Sequence, residues 1–119
     1  MMESFYNALD DLQRLDDVLV VMLVKSPGRI YQSRLPPKIK NVGLLTLIKG
    51  TMDTFLNIMA KFHDYGMDNI TVDLGKVSVL LYSIDRSTAL VTVINSLANR
   101  GLIEVEVENT RRQIRSMRA

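Results

Sequence analysis

The sequence predicts a single α+β domain over residues 1–119, with the element order helix, two strands, helix, three strands, helix (αββαβββα). Three observations predict it. Residues 18–24 are an unbroken, largely β-branched apolar run of strand length. Residues 42–63 carry apolar side chains at helical spacing over the longest periodic segment of the chain. Residues 67–94 fall into apolar blocks of strand length, separated by Gly75-Lys76 and by Asp85-Arg86-Ser87-Thr88. A chain of 119 residues is the size of one domain. Its 47% hydrophobic and 24% charged residues are the balance of a folded chain, which excludes general disorder.

The first helix takes residues 2–15, where Phe5, Ala8, Leu9, Leu12 and Leu15 recur at helical spacing and Ser4 is expected to cap. The run 18–24 is apolar on both parities, so it is expected in the middle of a sheet with both faces covered. In Ser26-Pro27-Gly28-Arg29, Pro fixes φ at about −65° and Gly supplies the positive φ of a type II turn. Residues 29–33 then return as the second strand of a hairpin. Pro36-Pro37 keeps residues 34–40 out of regular helix and paired central strand, leaving a loop.

Within residues 42–63, Leu44, Leu45, Leu47, Ile48, Met52, Phe55, Leu56, Ile58, Met59 and Phe62 spread over roughly 180° of the helix circumference. Lys49, Asp53, Asn57 and Lys61 take the remainder. A helix lying on its own core needs a stripe only a little over about 100° wide, so the surplus points to a partner; the simpler alternative is an overcovered core helix. Gly50 in mid-helix costs about 1 kcal/mol relative to Ala, and close approach of another backbone would offset it. Ile70, Val72 and Leu74 alternate, as do Val77, Val79 and Leu81, and the tight turn Gly75-Lys76 joins them as two strands. Residues 89–94 are the fifth strand. Residues 103–108 alternate with period two, yet Ile103, Val107, Thr110, Ile114 and Met117 form one helical stripe to the end. The helix explains more residues. It also sets Glu104 and Glu108 towards its N-terminus and Arg111, Arg112, Arg115 and Arg118 towards its C-terminus, as the helix dipole favours.

Composition narrows function. Without cysteine there is no disulfide, thiolate nucleophile or Cys-ligated metal, and one His leaves metal and triad chemistry short of ligands. The longest apolar run is too short to span a bilayer, so no membrane insertion is expected. Met1-Met2-Glu3-Ser4-Phe5-Tyr6 lacks a basic segment followed by an apolar one, which makes the cytoplasm the expected location. Gly75-Lys76 lacks the upstream Gly of a phosphate loop and has Val77 in place of Ser/Thr. His63 beside Asp64 suits a helix end, where a His faces the last carbonyls, and no Ser or Cys nucleophile motif accompanies it. Asp10-Asp11 and Asp16-Asp17 read as a solvated helix face and a helix end, since neighbours on a helix diverge by about 100°. The chain is therefore expected not to be an enzyme, and to need no cofactor or metal.

The net charge of +2 is unevenly placed. Glu3, Asp10, Asp11, Asp16 and Asp17 make the start acidic, whereas residues 25–40 hold no acid. There Lys25, Arg29, Tyr31, Arg34, Lys38 and Lys40 are candidate contacts to a partner or to nucleic acid; the same charges also describe an edge that discourages strand pairing. Asp85-Arg86-Ser87-Thr88 leading to Leu97-Ala98-Asn99-Arg100-Gly101-Leu102-Ile103 resembles the recognition helix and following turn of winged-helix regulators, with Arg111-Arg112 as the wing. Upstream, the strand-prone residues 77–82 make a poor first helix for such a motif.

Val20-Val21-Met22-Leu23-Val24-Lys25-Ser26-Pro27-Gly28-Arg29-Ile30 resembles the first hairpin of the roadblock family, the dynein light chain and small-GTPase-regulator domains. Ala89-Leu90-Val91-Thr92-Val93-Ile94 followed by Asn99-Arg100-Gly101-Leu102-Ile103-Glu104-Val105-Glu106 is similar to that family's last strand and the approach to its final helix. The likeness spans nearly the whole chain in order and length, with the basic loop 34–40 and the Arg-rich end as departures. It implies an α/β sandwich: a five-stranded antiparallel sheet, the long helix on one face and the N- and C-terminal helices on the other. It implies a homodimer in which the third strand pairs with its symmetry mate and the long helices pack together. Ile70, Val72 and Leu74 would then carry the strand pairing, while Thr46, Lys49, Gly50, Asp53 and Asn57 would line the helix pair or the surface beside it. The implied function is that of a non-enzymatic regulator or scaffold for a small Ras-like GTPase, ordering the GTPase's own residues if it promotes hydrolysis. A nucleic-acid-binding transcriptional regulator is the alternative reading. A small-ligand sensor on a similar sandwich is a third, with no polar constellation in its favour.

Overall fold

The computed structural model describes residues 2–118, with the side chains of residues 3–117. Its strands are β1 (Val18–Lys25), β2 (Arg29–Gln32), β3 (Asn69–Asp73), β4 (Val77–Asp85) and β5 (Thr88–Asn95). They form one antiparallel sheet in the order β2-β1-β5-β4-β3, so the last strand in sequence lies at the centre beside the first. The both-parity apolar runs occupy that centre, and the alternating strand β3 lies at an edge. Helices α1 (Met2–Gln13) and α4 (Arg100–Arg118) cover one face, where Leu9, Leu12, Ile103, Val107 and Ile114 meet Val21, Leu23, Leu80, Leu90 and Ile94. Helices α2 (Val42–Gly50) and α3 (Met52–Lys61) cover the other, where Ile48, Met52, Leu56 and Met59 meet Val20, Met22, Val79, Val91 and Val93. The layering is the one expected.

Several local features differ from expectation. Ser4 lies inside the first turn of α1, which begins at Met2, so it is not the cap. Gly28 has the positive φ its turn needs, +64°, while the Ser26–Pro27 bond is cis. The long helical segment is interrupted at Thr51. There the Thr51 N–H is shared between the carbonyls of Ile48 and Lys49, and its hydroxyl also donates to the Ile48 carbonyl at 2.8 Å. A Thr that bonds back to its own helix beside a poor helix former such as Gly50 accounts for the break. After Lys61 the chain makes a single 3₁₀ turn, His63–Tyr65, closed by Gly66 at φ +92°, a left-handed position that favours glycine. At the far end Asn99 caps α4, its side-chain oxygen accepting from the Leu102 N–H at 3.3 Å. The stretch with period two is thus helical, and the single stripe that runs through it is the buried one.

β2 is short, and the exposed edge of β1 beyond it is satisfied without a strand. The Ser33 N–H donates to the Val21 carbonyl at 2.8 Å and the Lys38 N–H to the Leu19 carbonyl at 2.9 Å. Between them the fully buried Gln13 accepts from the Val21 N–H at 3.1 Å and donates to the carbonyls of Leu35 and Pro36 at 3.1 and 2.9 Å. One amide side chain therefore stands in for the missing stretch of strand and holds down the loop that covers it. Among the described residues, no helix is long and apolar enough to cross a membrane.

Candidate functional site

β3 is hydrogen-bonded to β4 on one side only, and its other edge is open in the described chain. Ile70 and Val72 are half-buried and turn towards α3, while Asn69, Thr71 and Asp73 are exposed on the opposite face. Between this edge and the helices runs an apolar groove of about 270 Å³, walled by Leu44, Leu47, Thr51 and Phe55 on one side and Val72 and Leu74 on the other. Leu47 is 69% and Leu74 45% exposed, and Val42, one turn from Thr46 on α2, is 73% exposed. Exposed leucines scattered singly need no explanation, but here they line one groove beside an unpaired strand edge. The strand itself is tethered to α4: Arg111 pairs with Asp68 at 3.3 Å just before it, and Arg100 with Asp73 at its end at 3.4 Å.

The structure does not gather all eight residues of the expected dimer surface. Ile70, Val72 and Leu74 lie at the edge and groove. Thr46, Gly50 and Asn57 are exposed on the helices, with the Thr46 hydroxyl turned back to the Val42 carbonyl at 3.0 Å. The space where a Cβ of Gly50 would stand is empty to 4 Å, so nothing within the chain requires glycine there. Lys49 is half-buried. Asp53 points elsewhere: it accepts the Gly28 N–H at 3.1 Å and so ties α3 to the β1–β2 turn, at the end of the sheet order away from β3. Of the groove residues, Thr51 is not among those named from the sequence, while Leu44, Leu47 and Phe55 belong to the apolar arc whose surplus points to a partner. Their signal is the width of the apolar arc, which does not say which flank of the helix faces the strand edge.

Two of the five basic residues of the segment 25–40, Arg34 and Lys38, are bonded within the molecule. Arg34 pairs with Glu3 at 2.8 Å, bonds Asp10 and Asn7, and lies 5.5 Å over the Tyr6 ring. Asp10 is buried and also accepts from the Ser33 hydroxyl at 2.7 Å and the Arg34 N–H at 2.9 Å. Burial opposes its ionisation, but the Ser33 hydroxyl and the Arg34 groups outweigh that and hold its pKa below the usual carboxylate value. The Lys38 ammonium donates to the carbonyls of Gln13 and Leu15 at 2.8 and 2.9 Å. Arg29 and Lys40 are exposed, whereas Lys25 and Tyr31 are half-buried beneath α1. The Arg-rich end behaves alike: Arg111 is buried against Glu108 at 2.6 Å and over the Tyr82 ring, and Arg115 donates to the carbonyls of Ile84 and Ser83. The winged-helix expectation is corrected, because the residues that would form its recognition helix build β5 and α4 begins only at Arg100. Arg111 and Arg112 are helical and not a wing. Asp64 pairs with Arg86 at 2.7 Å, away from any His63 couple. Gly75-Lys76 sits in the β3–β4 turn.

A five-stranded antiparallel sheet in this order, with a broken long helix on one face and the terminal helices on the other, is the roadblock fold. The chain is similar to the Roadblock/LC7 domain from Streptomyces avermitilis, with 17% identity and a TM-score of 0.66 over 92% of this chain and 93% of that one. It is similar to Myxococcus xanthus MglB, at 15% identity and a TM-score of 0.73 over 95% and 93% of the two chains. MglC from the same organism gives 17% identity and a TM-score of 0.71 over 96% and 98%. At these identities the likeness is one of fold. In sequence, residues 2–108 match the AF0774-like protein family, and the chain belongs to it. No curated protein matches it at the level of sequence.

Proposed function

We propose that this protein is a non-enzymatic, homodimeric regulator or scaffold that binds a small Ras-like GTPase in the cytoplasm. The observation that carries this reading is the open β3 edge beside an apolar groove on a roadblock fold. Pairing of two β3 edges would join two sheets into one and bring Leu47, Phe55 and Leu74 of each copy out of water, which answers both the unpaired backbone and the exposed apolar surface. A dimer of this kind offers two helix pairs and a continuous sheet as a rigid platform for a globular partner. The nucleic-acid alternative is weakened by the internal bonding of Arg34, Lys38, Arg111 and Arg115. The test is retention of purified small Ras-like GTPases from the same organism, loaded with GDP or a non-hydrolysable GTP analogue, on the immobilised protein. Retention that depends on the nucleotide is expected. Absence of retention in both states across the set would contradict the proposal.

A further inference from the structure

On the sheet face opposite α2 and α3, beneath the N-terminal half of α1, lies a second pocket of about 150 Å³. Its walls are mostly apolar: Phe5 and Tyr6 from α1, Leu23 from β1 and Tyr31 from β2. The register explains the grouping. Leu23 is the cross-strand partner of Tyr31, and two residues on, Lys25 is the partner of Thr88, so all four side chains rise from one face of the sheet in adjacent rows.

Two polar groups at this pocket are left over by the fold. The Thr88 hydroxyl is buried and has no hydrogen-bond partner, an arrangement native proteins avoid unless something supplies one. Lys25 is half-buried and takes part in none of the ion pairs among the described residues. The nearby Arg34 is already committed to Glu3 and Asp10, so Lys25 is the cation that remains for a bound group. The volume is about that of an apolar cavity that accepts one aromatic ring, so the pocket encloses a body of that size. An apolar body, one cation and one unpartnered hydroxyl define the ligand chemistry.

We propose that this pocket binds a small organic carboxylate with a body of one ring or a short alkyl chain. The carboxylate meets the Lys25 ammonium and the Thr88 hydroxyl, and the body lies against Phe5, Tyr6, Leu23 and Tyr31. The site is on the other face of the sheet from the β3 groove and stands independently of the partner proposed for that groove.

Benzoate and hexanoate titrated into the isotope-labelled protein are the probes, with benzyl alcohol and hexanol as uncharged counterparts. Saturable amide shifts confined to the pocket strands and the start of α1 are expected, with each acid binding at least about tenfold more tightly than its alcohol, the effect of one charge-assisted hydrogen bond. Lys25→Met keeps the apolar stem and should abolish that preference. Thr88→Val, nearly the same shape, should weaken acid binding and leave the alcohols unaffected. No saturable shift at the pocket, equal binding of acids and alcohols, or a preference that survives Lys25→Met would each overturn the proposal.

Discussion

Asp10 lies under the loop that follows β2 and receives three hydrogen bonds, from the Ser33 hydroxyl and from the Arg34 backbone and guanidinium. Its pKa is lowered in the folded state, so the unfolded chain binds the proton more readily at acid pH. The stability it contributes is fully present above the unfolded value of about 3.9 and is lost as the pH falls through the folded one. Urea unfolding followed from neutral pH to about pH 2 should show Asp10→Asn less stable than the parent by about 1–3 kcal/mol at neutral pH, with the difference shrinking in acid. A difference that is constant with pH would contradict this assignment. Nothing in the local sequence marks Asp10 out from Asp11, which is exposed and bonded to Arg14. The distinction comes from Ser33 and Arg34, more than twenty residues away. Gln13 is silent in the sequence for the same reason, because its role depends on where β2 happens to stop.

The broken helical segment and β3 are where sequence and structure part most informatively. Gly50 has no neighbour within 4 Å at its Cβ position, so Gly50→Ala should raise the stability of an isolated protomer by up to about 1 kcal/mol. If two helices approach there, the same methyl group should weaken association; a more stable protein with unchanged self-association would place Gly50 outside the contact. Val72→Lys puts a charge on the groove side of the edge strand, where Val72 is only half-buried. It should give a folded monomer, seen as an unchanged far-ultraviolet dichroism spectrum with half the mass, and a folded dimer would discredit the interface. The central strands were legible because burial on both faces leaves no polar parity in residues 18–24 and 89–94. The C-terminal helix was legible only through a stripe longer than the competing alternation of residues 103–108. The break at Thr51 was not, since it depends on one hydroxyl choosing its own helix as acceptor. Nor was the direction of Asp53, set by a turn that the sheet brings beside α3.

Taken as a molecule, the fold follows from pattern: two apolar sheet faces need two layers of helices, and three helical segments of suitable length are available to cover them. The charge distribution misleads in part, because Arg34, Lys38 and Arg115, which look like open basic surface in the sequence, are bonded to carboxylates and carbonyls across the fold. Among what the packed protomer leaves uncovered is the β3 edge, with an apolar groove beside it. Light scattering on the purified protein, diluted from tens of micromolar to below about one micromolar, a range that brackets interfaces of ordinary strength, addresses that surface directly. A mass near twice 13.5 kDa that persists on dilution is the predicted result. A mass of 13.5 kDa throughout would contradict the dimer, and with it the platform on which a GTPase is proposed to dock.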